Sequence, residues 1–200
     1  KKITEKGKPP VPTFAGKIFS AEKQKEFCKY LGKVLCFDPE YTAMMESEHP
    51  FTTSNGNHDV RITNHYYEDN LISSIFSAIH EIGHGLYELQ VDDKYEGTGC
   101  SGGTSLAMHE SQSRLMENMI GRSRAFWETH FGKLQEIFSE ELKDVTVDEF
   151  YRYVNNVECS LIRTEADDLT YSLHVLIRYE IEKEIILTKE EIISACSQIK

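Results

Sequence analysis

Residues 70–90, NLISSIFSAIHEIGHGLYELQ, constrain this chain more than any other stretch. Plotted at about 100° per residue, Ile72, Ile75, Phe76, Ile79, Ile82, Gly83 and Leu86 share one broad helical face. A face that wide must be buried, so the rest of the chain has to build a core around this helix. His80 and His84 fall beside that face, in line with Ser73 and Ser77, whose small side chains leave room to approach both imidazoles. Glu81 points about 60° further round than His84, off the core side.

Histidine pairs on a helix surface are ordinary, but HExxH on a strongly amphipathic helix is a metal-site pattern. Two imidazoles one turn apart can share a tetrahedral ion at Zn–N distances of about 2.0–2.1 Å. The residue after the first ligand projects toward the ion's open position. A carboxylate there can accept a proton from water whose pKa the ion has lowered toward about 7. Glu81 therefore reads as a general base.

A third ligand is required. Glu88 continues the i, i+4 series, but it lies about 12 Å of helical rise from His80, too far to share one ion. Asp92, Asp93 and Glu96 follow in a loop and read as solvated. Beyond a stretch with four glycines in seven residues (Gly97 to Gly103), His109-Glu110 opens a second helix. Glu110 there gives His₂Glu ligation with one position open. Its plainer role is a first-turn carboxylate at the positive end of the helix dipole, and His109 is the competing ligand.

The remaining pattern predicts a mainly α chain with a small β element. Residues 1–19 read as proline-rich loop or linker, and Ser20 caps a helix over 21–37. Residues 38–58 read as mostly loop with a turn at Asn55-Gly56. Residues 59–63, DVRIT, alternate as a short half-buried strand that can form a sheet edge. The second helix spans 105–121, closed by Gly121. Thr146-x-x-Glu149 and Thr188-x-x-Glu191 are capping boxes, and one long helix is predicted over 160–185. Its stripe is Ile162, Ala166, Leu169, Leu173, Leu176 and Ile177, bordered by Arg163, Asp167, Tyr171, His174 and Arg178. Such a polar border suits a cleft wall, but on the residues alone the rim of an ordinary amphipathic helix is the better reading.

Two hundred residues are enough for one domain with its own core. The formal charge of −11 argues against nucleic acid as a partner. No apolar run is long enough to span a bilayer, and the first residues lack the apolar core of a signal peptide. Five scattered cysteines without a CxxC pair suggest reduced thiols and a cytoplasmic location.

Five motifs occur in order: His49-Pro50-Phe51, Asp59-Val60-Arg61-Ile62-Thr63, His80-Glu81-Ile82-Gly83-His84, His109-Glu110-Ser111, and Ile162-Arg163-Thr164-Glu165-Ala166-Asp167. Over roughly residues 49–184 the chain resembles the thermostable (Taq-type) carboxypeptidases. These are HExxH zinc metallocarboxypeptidases with a helical fold related to neurolysin and angiotensin-converting enzyme. The family's next motif, GxxQDxHW, is absent, and its members are more than twice this long. The chain thus reads as a single catalytic-core domain, a truncated or shortened form of a longer enzyme.

The resemblance implies that His80, His84 and Glu110 bind the metal, with Glu81 as base. It places HPF and IRxxAD along the substrate cleft and gives DxRxT (Asp59, Arg61, Thr63) a supporting role, with His109 and Asp167 beside it. Binding a free C-terminal carboxylate suits an arginine; Arg163 is the first candidate and Arg61 and Arg178 are alternatives, each equally suited to a structural salt bridge. His49, Tyr171 or His174 are candidates to donate to the oxyanion. The implied activity is release of single C-terminal residues from peptides, with Zn²⁺ as the expected ion and Co²⁺ or Mn²⁺ as fitting substitutes. Two alternatives stand beside it: an oligopeptidase cutting inside short peptides, and a metal-binding module without turnover. The resemblance also implies a homodimer for the longer form.

Overall fold

In the computed structural model, which describes residues 12–158, 161–163 and 166–188, Ser20 starts helix α1 (Ala21–Val34). Its Oγ accepts from Lys23 N at 3.5 Å. The helix stops three residues short of the predicted Phe37. Cys36 adopts φ 59°, a left-handed turn that carries Phe37 into a cluster with Val60, Ile62 and Ile82.

Residues 38–58 are loop over more than half their length, as expected, but two strands interrupt it. These are β1 (Thr42–Glu46) and β2 (Phe51–Ser54), which flank β3 (Val60–Asn64) in the order β1-β3-β2. β1 runs parallel to β3 and β2 antiparallel. The DVRIT strand is therefore the centre of the sheet, and β2 is one of its edges. Neither flanking strand has the alternation that marks a strand locally; they form because β3 offers hydrogen bonds on both sides. The Asn55-Gly56 turn forms as predicted: Gly56 has φ 132° and Asn55 N donates to Asp59 O at 2.8 Å.

Helix α2 (Leu71–Leu89) carries the histidines. Asn70 caps it, accepting from Ser73 N at 3.2 Å. Its apolar residues divide between neighbours. Ile75, Phe76 and Ile79 join Phe27, Leu31, Trp127 and Leu134 in the main core, Ile82 meets the sheet, and Ala78 packs beside Cys28 and Tyr66. Burying each such side chain contributes about 1.5–3 kcal/mol, which holds α2 on several sides.

Ser105 caps α3 (Leu106–Arg114), accepting from Met108 N at 3.2 Å. The predicted single helix to Gly121 changes pitch: Leu115–Gly121 is a π-helix, whose i→i+5 hydrogen bonds rotate the following side chains. Helix α4 (Arg124–Ile137), capped by Ser123, was not predicted. It brings Phe126, Trp127, Phe131 and Leu134 to the core. The Thr146 box starts α5 (Val147–Val154). Only its forward half forms, Glu149 N donating to Thr146 Oγ1 at 3.2 Å. Glu149 instead accepts from Thr13 N and Oγ1 at 2.6 and 2.9 Å.

One compact unit ends at Val154, and the described residues from Asn155 onward belong to a second. Within that second unit the predicted helix over 160–185 is shorter: α6 runs Tyr171–Thr188. Asp167 breaks it by accepting from Leu169 N and Thr170 N at 2.9 and 3.0 Å, a turn rather than a helix. Of the predicted core stripe only Ala166 is buried; Ile162, Leu169, Leu173, Leu176 and Ile177 are exposed. The Thr188-x-x-Glu191 box runs beyond the described residues, with Glu191 outside them. No helix among the described residues is long and apolar enough to cross a membrane.

Candidate metal centre

Gly83 sets how close α2 and α3 come. A Cβ built there lies 2.8 Å from Ser113 Cα and 3.1 Å from Gln112 O, so only glycine allows this approach. At the crossing, one ligand atom each from His80, His84 and Glu110 fall within 4.8 Å of one another. The two Nε2 atoms are 3.1 Å apart. Glu110 Oε2 stands 3.6 Å from His80 Nε2 and 3.5 Å from His84 Nε2.

Partners behind the three groups fix which atoms face inward. His80 Nδ1 lies 2.8 Å from Glu117 Oε2. A carboxylate there accepts, so Nδ1 carries the proton and a neutral His80 presents a bare Nε2. His84 Nδ1 lies 2.7 Å from His109 Nδ1, and His109 Nε2 bonds Glu88 Oε1. Arg114 binds the other oxygen of Glu110, Nε to Oε1 at 3.0 Å, and reaches Glu117 Oε2 at 3.0 Å. Glu110 Oε2 is thus turned toward the imidazoles. Burial opposes ionisation of Glu110, but His84, His80 and Arg114 outweigh it and hold its carboxyl far below the ordinary range. Glu117 follows the same pattern: burial opposes, and His80, Arg114 and Arg122 keep it low. Two imidazole nitrogens and a carboxylate oxygen converging this closely form a cation-binding set once the imidazoles are neutral.

Glu81 is buried at 7% exposure. Its Oε2 accepts from Thr52 Oγ1 at 2.6 Å, and the same hydroxyl lies 3.2 Å from its carbonyl oxygen. Thr52 sits in β2, directly after His49-Pro50-Phe51. His49 is exposed, and its carbonyl accepts from Ser47 Oγ at 2.5 Å and Thr63 Oγ1 at 3.1 Å. Thr63 also accepts from Phe51 N at 3.1 Å. Asp59 and Arg61 form an exposed two-bond ion pair, 2.7 Å each. The contact with α2 comes instead from Val60 and Ile62, on the opposite side of the strand. His109, the competing ligand, stands behind His84 rather than among the converging atoms.

In the second unit Arg163 NH1 donates to Tyr171 Oη at 2.8 Å. Asp167 caps the turn before α6, His174 is half-buried and Arg178 exposed. Four side chains around the candidate centre were not found in the sequence: Glu117, Arg114, Thr52 and, as the partner of His109, Glu88. Glu117 carries a faint signal, lying seven residues after Glu110 on the same helical run.

The profile of the family described as "Carboxypeptidase Taq (M32) metallopeptidase" matches residues 1–193. The chain belongs to this family. Carboxypeptidase 1 of Bacillus subtilis is 44% identical over 185 residues, which are 92% of this chain and 37% of that protein. Thermostable carboxypeptidase 1 of Thermus thermophilus is 42% identical over 181 residues, 90% of this chain and 35% of that one. A crystal structure of the M32 carboxypeptidase from Deinococcus radiodurans superposes with a TM-score of 0.87 at 45% identity, over 91% of this chain and 37% of the other. This M32 chain therefore has the helical metallopeptidase fold with its small sheet, and spans little more than a third of its relatives' length.

Proposed function

We propose that this chain is the catalytic-core domain of a longer zinc metallocarboxypeptidase, which removes single residues from the free C-terminus of peptides. The observation that carries the proposal is the convergence of His80 Nε2, His84 Nε2 and Glu110 Oε2, with the buried Glu81 next to His80 on the same helix. His₂Glu ligation suits Zn²⁺, and Co²⁺ or Mn²⁺ fit the same donors.

Bound there, a divalent ion supplies Lewis acidity, polarising the scissile carbonyl and lowering the pKa of the attacking water. Glu81 takes the proton from that water and passes it to the leaving amine. Thr52 holds one carboxylate oxygen of Glu81, which leaves the other to receive the proton. By the family resemblance alone, His49, Tyr171 and His174 are candidates to donate to the oxyanion, and Arg163, with Arg61 and Arg178 as alternatives, is the candidate for the substrate carboxylate. β2, an edge of the sheet, offers backbone groups to an extended peptide. A cytoplasmic location agrees with free thiols at Cys28, Cys36 and Cys100, and a homodimer is carried over from the resemblance alone.

Glu81→Gln tests the proposal. Metal content should stay unchanged while hydrolysis, assayed in this chain and in a full-length relative, falls about 10²–10⁴-fold. Retained activity removes Glu81 from the mechanism. A peptide with an amidated C-terminus should resist cleavage; internal cuts in it point to the oligopeptidase reading. Bound metal with no turnover in the short chain alone identifies a binding module.

A further inference from the structure

His84 differs from His80 in what stands behind it. His80 Nδ1 meets a carboxylate, whereas His84 Nδ1 meets another imidazole at 2.7 Å. Two Nδ1 atoms facing each other can form one hydrogen bond only if one carries a proton and the other does not. His109 alone does not decide which. Its other nitrogen does: Nε2 bonds Glu88 Oε1, and a carboxylate oxygen only accepts. A neutral His109 then holds its proton on Nε2, its Nδ1 is bare, and His84 Nδ1 must donate. In the neutral form of His84 its Nε2 is then left unprotonated, facing His80 and Glu110.

Glu88 itself is fixed in place. It is buried, and Gly103 N donates to the same Oε1 at 3.2 Å. A Cβ on Gly103 would come within 2.6 Å of His109 Cδ2 and 3.0 Å of Glu88 Oε1, so the glycine-rich loop closes directly over this pair. Tyr87 packs edge-on against the His109 ring at 5.1 Å.

We propose that Glu88 and His109 form a relay that fixes the tautomer of His84, making Glu88 a positioning residue for the metal although it is not itself a ligand. The inference rests on the metal-site reading, but half of its test is independent of metal. Both donors to Glu88 reach the same oxygen, so Glu88→Gln keeps the acceptor at equal size while Glu88→Met removes it with little change in volume.

Two readouts are needed: Zn²⁺ affinity by competition with a fluorescent chelator, and long-range ¹H–¹⁵N spectra of the histidines in the metal-free chain. The expected wild-type pattern is His84 protonated on Nδ1 and His109 on Nε2. Glu88→Met should weaken Zn²⁺ binding about 10–100-fold and shift His84 toward the Nε2-protonated form. Glu88→Gln should stay within about threefold of wild type in affinity and keep the tautomer. The relay is overturned if Glu88→Met keeps wild-type affinity and tautomer, or if the Gln and Met variants are equally impaired. If wild-type chain takes up no Zn²⁺, the metal site itself is wrong, and the spectra still report on the relay.

Discussion

At the scale of single residues, Gly83 has no slack. The atoms its missing Cβ would meet are backbone, Ser113 Cα at 2.8 Å and Gln112 O at 3.1 Å, and backbone cannot rotate away. Gly83→Ala should force α2 and α3 apart, costing about 1–3 kcal/mol in urea unfolding and weakening Zn²⁺ binding in the same variant. Unchanged values for both would mean the crossing is looser than drawn. Cys28 makes a separate prediction. Burial pushes its thiol up to about 12, with the Asn64 hydrogen bond working weakly the other way. In the folded chain at pH 8, a thiol reagent should label Cys36 and Cys100, and peptide mapping should find Cys28 modified only after denaturation. His80 and His84 were legible in the sequence because helical spacing alone brings them together. Glu117 and Arg114 were not, since their roles depend on where α3 crosses α2 and on the π-helical turn that follows.

A local side chain starts most of the helices, but not every such start was legible: α4, which Ser123 caps, was missed. Ser20, Asn70, Ser105 and Thr146 each cap a helix within three residues of sequence. β1 and β2 were hidden because Thr42–Glu46 and Phe51–Ser54 take their form from pairing with β3. The long helix over 160–185 failed at Asp167, where amphipathic spacing continues but a carboxylate captures the backbone N–H groups of Leu169 and Thr170. Burial opposes ionisation of Asp167, but hydrogen bonds from Thr170, Glu158 and Leu169 hold its carboxyl below the usual range. A carboxylate lowered in the folded state stabilises above its unfolded pKa, about 3.9, and loses that stabilisation as pH falls through the folded value. The turn before α6 should therefore open in acid, read as loss of its Cα secondary shifts below about pH 4. Asp167→Asn keeps an acceptor and should abolish this acid step; an identical acid transition in that variant would place its cause elsewhere.

For the whole molecule, α2 links the main core, the sheet and the candidate metal centre, so occupancy of that centre should stabilise the fold. Zn²⁺ at 100 times its Kd should add about 2.7 kcal/mol, raising the Tm of the wild-type chain but not that of Glu110→Ala. The most direct test is a crystal structure of the Zn²⁺-loaded chain with anomalous scattering at the zinc edge. One strong peak is expected about 2.0–2.2 Å from His80 Nε2, His84 Nε2 and a Glu110 oxygen. A peak at other residues, or Glu110 turned away from an ion held by the two histidines, would contradict this ligation.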